Sequence, residues 1–225
     1  MKKMIGFAYF LIFLSVFSCT NKEVQLPVIS RVGISGIQNH SSIWIFFEIK
    51  DQDTIAVLNK NNKLLNTHWI FNVDRRLTMQ KVIPFLIEMQ KSKNKESMHK
   101  KEGLLNYFSY ANSKDRSISL INFNNTTYIY SKTRSLKVLD TDLSERIIEI
   151  DIKNDELFID NSRIDKEEVL KKIDEIHSSD TLNKSKIVLK YSQNTTFQNY
   201  LSVKSYLLES SLTLDSNEYV YRQPL

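Results

Sequence analysis

The feature of this sequence that most constrains its fold is a short alternating run near the start of its C-terminal third. Ile148, Ile150 and Ile152 are apolar, and the residues between them are acidic. A period of two is typical of a strand with one buried face. The run therefore predicts a half-buried strand at 147–152, and the turn residues that follow predict an antiparallel return at 157–159.

The rest of the C-terminal third predicts alternating helices and strands. Asp165 and Glu168 have the spacing of a capping box, which predicts a helix over 166–176. A nearly continuous apolar run predicts a strand at 186–191 that is covered on both faces.

The closing elements of this unit set the predicted fold class. Thr195 or Thr196 can cap a second helix over 197–208, and a last strand is predicted at 218–221. Two helices on one face of a small mixed sheet give an α+β sandwich.

This order of elements resembles the periplasmic domain of the ExbD/TolR biopolymer-transport family, over 146–222. The resemblance is carried by the strand pair with its Asp160-Asn161 turn, the capped helix, the buried strand ending at Lys190, and the helix bearing Tyr200. It implies a periplasmic domain that recognises a partner. The sequence departs from the family before the second helix, where Tyr191-Ser192-Gln193 replaces the usual aspartate.

The N-terminus predicts an export signal. Two lysines precede an apolar run of 4–17, which is too short to cross a bilayer comfortably. Val16-Phe17-Ser18-Cys19 resembles the lipobox of a bacterial lipoprotein, which implies cleavage after residue 18 and acylation of Cys19. Phe17 departs from the usual pattern. An uncleaved anchor helix is the alternative.

The middle of the chain predicts a second α+β unit, over 42–135. A hairpin is predicted at 42–50 and 54–58, a short strand at 69–73, and strands at 117–123 and 127–131. Thr78 offers an N-cap for a helix to about residue 90, which Pro84 should kink or delay. The order of these elements (the hairpin, this helix and the strand at 117–123) is the same as in the C-terminal unit. One interpretation is a divergent tandem repeat. The other is that both units have a common α+β arrangement without duplication.

Residues that could take part in catalysis or metal binding are scattered along the sequence. The histidines (His40, His68, His99 and His177) lack a metal-binding spacing, and the pairs Asp51/Asp53 and Asp140/Asp142 are more typical of turns than of catalytic acids. The sole cysteine excludes a disulfide framework. The lysine-rich segment 91–103 is more typical of a solvated loop than of a lipid or nucleic-acid patch.

These observations predict a non-enzymatic bacterial envelope lipoprotein. It would comprise a signal peptide (1–18), a tether (19–41), the 42–135 unit and the ExbD/TolR-like domain (146–222). Lipidated Cys19 would hold it to a membrane. The domain would lie in the periplasm and bind an envelope protein or a cell-wall partner. A homodimer is compatible with the sequence but is not predicted by it. No catalytic residue, cofactor, metal or nucleic-acid partner is predicted. The alternative is an energy-coupling subunit of a biopolymer transport system with a retained membrane helix, although 1–19 holds no acidic residue for a proton relay.

Overall fold

The chain folds as an α+β protein with two mixed β-sheets. A computed structural model describes residues 22–31, 33–59, 61, 63–94, 103–131, 146–153, 156–180 and 185–222. The coarse fold class predicted from the sequence is confirmed.

The first sheet is built mainly from the N-terminal half of the chain. Its strands are β1 (Val28–Ile29), β2 (His40–Lys50), β3 (Asp53–Asn59), β4 (His68–Val73), β5 (Asn106–Asn112) and β6 (Ser117–Asn122). They are ordered β1-β5-β4-β2-β3, with β6 also paired to β5. β2, β4 and β5 run parallel, and the hairpin partners β3 and β6 run antiparallel at opposite edges.

The second sheet has the order β10-β9-β8-β11-β13-β7, with β12 also paired to β11. Its strands are β7 (Thr127–Ser131), β8 (Arg146–Lys153), β9 (Glu156–Ile159), β10 (Ser162–Ile164), β11 (Ser185–Ser192), β12 (Thr213–Leu214) and β13 (Asn217–Tyr221). β7 runs parallel to β13. It lies inside the 42–135 segment that the sequence assigned to the N-terminal unit, yet it completes the other sheet.

Within the described ranges the chain forms three α-helices: α1 (Met79–Asn94), α2 (Val169–Ser178) and α3 (Phe197–Leu207). α1 and α3 join the sheets into one core. Phe197 of α3 has its ring centroid 5.2 Å from that of Phe108 in the first sheet, and Tyr200 lies 5.1 Å from Tyr191 in the second. One continuous cluster of buried side chains contains the inner faces of both sheets and all three helices.

The N-termini of α1 and α3 meet at a point that we call the central seam. Each helix follows a parallel strand through a short loop, 74–78 before α1 and 193–196 before α3, and Thr78 forms an isolated antiparallel bridge with Thr196. The Met79 N–H donates to the Thr195 carbonyl at 2.8 Å, and the Phe197 N–H donates to the Leu77 carbonyl at 2.7 Å.

The next residue of each helix repeats this exchange. The Gln80 N–H donates to the Gln193 carbonyl at 2.9 Å, and the Gln198 N–H donates to the Arg75 carbonyl at 3.2 Å. The first N–H groups of a helix have no partner inside that helix. Here the loop of each half satisfies the helix of the other half.

Most predicted elements are present close to their predicted bounds. The exception of most consequence is β5, which the sequence did not predict although it is central to the first sheet. Its sequence, Asn-Tyr-Phe-Ser-Tyr-Ala-Asn, has polar residues inside it. They are tolerated because they are paired in the interior, as when the Ser109 hydroxyl donates to Asn72 Oδ1 at 2.7 Å. The strands β1, β10 and β12 were also not predicted.

Two local predictions need correction. Pro84 does not delay α1, which begins at Met79 and contains Pro84 on its exposed face. The predicted capping box is wrong, because Asp165 precedes a single 3-10 turn, Lys166–Glu168, and its side chain makes no capping hydrogen bond. Thr196, by contrast, is confirmed as the N-cap of α3, since its side chain accepts from the Asn199 N–H.

Candidate functional site

The segment that follows the predicted lipid-attachment residue is folded onto the domain. The Gln25 N–H donates to Asp74 Oδ2 at 3.1 Å, and the Gln25 carbonyl accepts from the Arg75 N–H at 2.8 Å. Further along, β1 pairs with β5, and Ile29 is buried in the core. Much of the segment predicted as a tether is therefore bound to the domain.

Val28 links this segment to α3 by a reciprocal pair of hydrogen bonds. Its N–H donates to Gln198 Oε1 at 2.9 Å, and its carbonyl accepts from Gln198 Nε2 at 3.0 Å. A side-chain amide presents a donor and an acceptor in the arrangement of a backbone peptide. Gln198 therefore holds β1 as a neighbouring strand would.

Asp74, at the end of β4, organises this junction from a fully buried position. Its carboxylate accepts from Nε of Arg76 at 2.9 Å and from Nη2 at 2.8 Å. Burial acts to raise the pKa of Asp74, but the hydrogen bonds from Arg76 and from the Gln25 N–H outweigh it and lower the pKa. The carboxylate is thus held ionised where the N-terminal segment enters the fold.

Arg31 connects this segment, through its charged side chain, to α3 and to Glu209 just beyond the end of α3. Its guanidinium lies 3.5 Å above the ring centroid of Tyr206 and forms an ion pair with Glu209. Its carbonyl accepts from the Tyr110 hydroxyl at 3.0 Å. Its Nε is buried and has no hydrogen-bond partner among the described residues, which is a cost to stability that the contacts with Tyr206 and Glu209 offset.

A cleft of about 340 Å³ opens beside Arg31. We call it the Arg31 cleft; its walls include Arg31, Gly33, Ile34, Leu120, Leu208 and Glu209. Ile34 and Leu208 are 47% and 50% exposed. A concave site with apolar walls and few polar groups is typical of a binding site for an apolar side chain or a small ligand.

Gly33 permits the close approach that forms one wall of this cleft. A Cβ at this position would lie 2.3 Å from the Tyr110 hydroxyl and 3.0 Å from the Leu120 carbonyl oxygen. Ile34 then pairs with Leu120 through two backbone hydrogen bonds of 3.2 and 2.9 Å. The N-terminal segment is thus held against the β5–β6 hairpin.

A second cleft, of about 260 Å³, lies where β9, β10 and the 3-10 turn meet α3. Its rim is charged, and Arg163 forms an ion pair of 3.1 Å with Glu156. Lys166 lies 5.3 Å from the ring centroid of Tyr206, the ring on which Arg31 also stacks. The rim charges are of both signs, so this cleft does not select an ion of one sign.

The strongest electrostatic feature of the protein is interior. Lys204 and Glu218 form an ion pair of 2.6 Å, and their side chains are 3% and 1% exposed. Lys204 Nζ also donates to Thr126 Oγ1 at 2.8 Å and to the Tyr200 hydroxyl at 3.2 Å. Removing one partner of such a buried pair leaves an uncompensated charge in the interior, so the pair and its hydrogen bonds stabilise the fold only as a complete set.

Three tyrosines surround this ion pair. Burial raises the pKa values of Tyr128, Tyr191 and Tyr200 well above that of a free phenol, and the negative charge of Glu218 raises them further. The hydroxyls therefore stay protonated in the folded protein. Sequence reasoning missed this network, since only tertiary contact brings β7, β11, α3 and β13 together.

The residues singled out from the sequence are largely dispersed. Cys19, His99 and the pair Asp140/Asp142 lie outside the described residues, as does most of the lysine-rich segment. Asp51 lies in the β2–β3 turn with a positive φ, as predicted, whereas Asp53 is the first residue of β3 and forms an ion pair with Lys81 at 3.1 Å. His177 lies in the last turn of α2.

The structure does bring two histidines together. The parallel register of β2 and β4 pairs His40 with His68, a proximity that the sequence did not predict. His40 Nδ1 donates to the Ile37 carbonyl at 2.9 Å, and His68 Nδ1 accepts from the Leu105 N–H at 3.1 Å. Over the described part of the chain, no group of three or more His, Cys, Asp or Glu side chains is arranged to hold a metal ion.

Comparisons with protein-family models, with curated proteins and with solved structures found no match for this chain. None of the helices within the described ranges has both the length and the apolar character needed to cross a bilayer.

Proposed function

We propose that this chain is a non-enzymatic envelope lipoprotein whose domain binds an envelope protein or cell-wall partner at the Arg31 cleft. The observation that carries the proposal is that the segment following Cys19 forms a wall of this cleft and is fixed to the first sheet and to α3. The described part of the segment that follows the proposed anchor is thereby part of the proposed binding site.

The chemistry of the cleft defines what it would bind. Ile34 and Leu208 offer exposed apolar surface, and the guanidinium of Arg31, paired with Glu209, lines the cleft beside it. An apolar side chain followed by a backbone carbonyl or a carboxylate would match both features. A short peptide segment of a partner protein, or a peptide stem of cell-wall material, has this chemistry.

We further propose that the two halves are divergent copies of an ExbD/TolR-like periplasmic domain. The topology supports a correspondence that differs from the one predicted from the sequence: β2-β3, β4 and α1 match β8-β9, β11 and α3. In each set a hairpin strand pairs in parallel with a strand that leads directly into a helix. The reciprocal hydrogen bonds of the central seam use equivalent positions of the two halves: the donors Met79 and Phe197 are 118 residues apart, and so are the acceptors Leu77 and Thr195.

An aspartate adds to the support for this correspondence. The resemblance implies an aspartate between the buried strand and the second helix, and the C-terminal half has Ser192 there. In the first half Asp74 follows β4 directly and precedes α1. The family feature that the second half lacks is therefore present at the matching position of the first half.

The lipoprotein proposal is tested by expressing the full-length chain in bacteria with radiolabelled palmitate, beside a Cys19→Ala variant. Label on the wild type alone, with loss of the mass of the signal peptide, is the expected result. Absence of label with retention of the uncleaved mass in the membrane would contradict it. The energy-coupling subunit with a retained membrane helix would then be the better account.

The binding site is tested in the same cells with a photo-crosslinking residue at Leu208. The control places the same residue at Ile118, which is 62% exposed and lies outside the cleft. We expect a discrete crosslinked band from position 208 that is lost in an Arg31→Ala background. Equal crosslinking from both positions would show that the cleft is not a specific site.

A further inference from the structure

The chain between Cys19 and the folded domain is short. Lys22 forms an ion pair with Glu48 at 2.6 Å, and the backbone of Gln25 is bound to the domain on both its N–H and its carbonyl. An extended chain spans at most about 3.6 Å per residue, so Cys19 lies within roughly 20 Å of Gln25 along any path. A lipid attached at Cys19 would leave the domain little freedom to move away from the membrane surface.

The surface beside this entry point has apolar and aromatic side chains together with Glu48, which lies opposite Ile55 and is paired with Lys22. Trp44 and Phe46 of β2 and Ile55 and Val57 of β3 lie on the outer face of the first sheet, opposite to the buried Ile43 and Ile45. We call these four side chains the Trp44 face. All four are half-buried, and the rings of Trp44 and Phe46 are stacked with centroids 6.3 Å apart.

Lys22 is three residues after Cys19 in the sequence, and its side chain lies against this face. Its ammonium lies 6.0 Å from the ring centroid of Phe46, and it lines a groove of about 410 Å³ together with Phe46 and Val57. Tryptophan and lysine side chains favour the boundary between lipid and water, because each joins an apolar body to a polar end.

We infer that the Trp44 face lies against the membrane that holds the lipid on Cys19. This inference rests on the proposed acylation of Cys19. The occupant of the Trp44 face is the lipid surface. The anchor point is so close to this face that the domain cannot rotate the face far from the bilayer. The Arg31 cleft lies at the other end of the bound segment, on the β5–β6 side of the sheet, where a partner could reach it.

The protein contains a suitable reporter at this face. It has two tryptophans, Trp44 on the face and Trp69 fully buried in the core. The full-length chain is expressed in bacteria, purified from the membrane, and its acylation at Cys19 is measured by mass spectrometry. It is then placed in phosphatidylcholine vesicles whose acyl chains carry bromine near the headgroup, and tryptophan emission is compared with that in unbrominated vesicles.

The expected result is quenching of the wild type that is absent from the Trp44→Phe variant, whose Trp69 is shielded. As a matched control, Tyr130→Trp in the Trp44→Phe background moves the reporter to β7, where residue 130 is 54% exposed at the edge of the second sheet. That variant should not be quenched.

Each other outcome overturns the inference. Acylated protein in which Trp44 is not quenched would show that the face is turned away from lipid, or is covered by a second copy, while the proposed lipoprotein function stands. Equal quenching at positions 44 and 130 would show that the domain has no preferred orientation. Protein without acyl chains at Cys19 would refute the proposed function as well, and the mass spectrum identifies that case.

Discussion

The ion pair of Lys204 and Glu218 is the most buried of the described ion pairs, so removal of one partner has a large predicted cost. We expect Lys204→Met to lower the free energy of unfolding by about 3–5 kcal/mol, because the buried carboxylate would lose its partner. Urea denaturation measures this change. The double variant Lys204→Met with Glu218→Leu should recover most of the loss, since replacing both charges leaves no buried unpaired group.

An exposed ion pair supplies the control for this prediction. Lys172 and Glu175 are 3.1 Å apart on α2, and both side chains are about half exposed. Lys172→Met should change the free energy of unfolding by no more than about 0.5 kcal/mol. Equal effects at positions 172 and 204 would contradict the role given to burial.

The buried tyrosines predict a loss of stability at alkaline pH. The pKa values of Tyr128, Tyr191 and Tyr200 are raised in the folded state, so their stabilising contribution is complete below the unfolded pKa of about 10. It is lost as the pH rises beyond that value, because the unfolded chain releases these protons first. Each tyrosine should lower the free energy of unfolding by about 1.4 kcal/mol per pH unit.

Urea denaturation at a series of alkaline pH values measures this slope. Tyr191→Phe should make the slope shallower by about one tyrosine's share, roughly 1.4 kcal/mol per pH unit. A free energy of unfolding that stays constant up to about one pH unit above the free phenol value would refute the prediction.

At the scale of the elements, the two helix N-termini at the central seam have matching positions and different chemistry. The Thr196 side chain caps α3, whereas the Thr78 hydroxyl is buried without a hydrogen-bond partner among the described residues. Thr196→Val should therefore cost about 1 kcal/mol of stability. Thr78→Val should be neutral or slightly stabilising, because it removes an unsatisfied polar group.

Thermal or urea denaturation of the two variants tests this contrast directly. The substitutions are identical in chemistry and lie on either side of the same bridge. A larger loss at position 78 than at position 196 would show that the hydroxyl of Thr78 has a partner in solution.

The docking of the N-terminal segment is a second property of the elements. Gly33→Ala would bring a Cβ against the Tyr110 hydroxyl, so we expect the segment to be partly released from the first sheet. The amides of Ala111 and Ser113 donate to the carbonyls of Pro27 and Ile29. Their hydrogen exchange should therefore become faster in this variant.

Ser35→Ala serves as the control, because residue 35 is exposed in the same segment. It should leave the exchange of both amides unchanged. Unchanged protection in Gly33→Ala would show that the contact with Tyr110 can relax without release of β1.

For the whole molecule, the shared core predicts a single cooperative unfolding transition. Both tryptophans lie in the first sheet, so their fluorescence reports on that half, and the exchange of the β11 amides reports on the other. Because one buried cluster spans both sheets, the two probes should give the same midpoint in urea. Two separated transitions would show that the halves are independent domains.

Much of the fold could be predicted from the sequence where a local signal exists. The alternation at 148–152, the hairpin turn at Asp51 and the cap at Thr196 depend on neighbouring residues alone, and each was found where predicted. The strand β5 gave no such signal, because its asparagines and serine resemble a loop until their partners on other elements are known.

The sequence by itself determined the α+β class, most of the elements and the candidate anchor at Cys19. The tertiary structure alone decided that β7 joins the second sheet and that the loop of each half accepts hydrogen bonds from the helix N-terminus of the other half. It also decided that residues after Cys19 line the Arg31 cleft. The physical reason is the distance along the sequence over which each interaction acts. Periodicity and capping act over a few residues, whereas strand pairing and burial join positions far apart in the chain that share no local pattern.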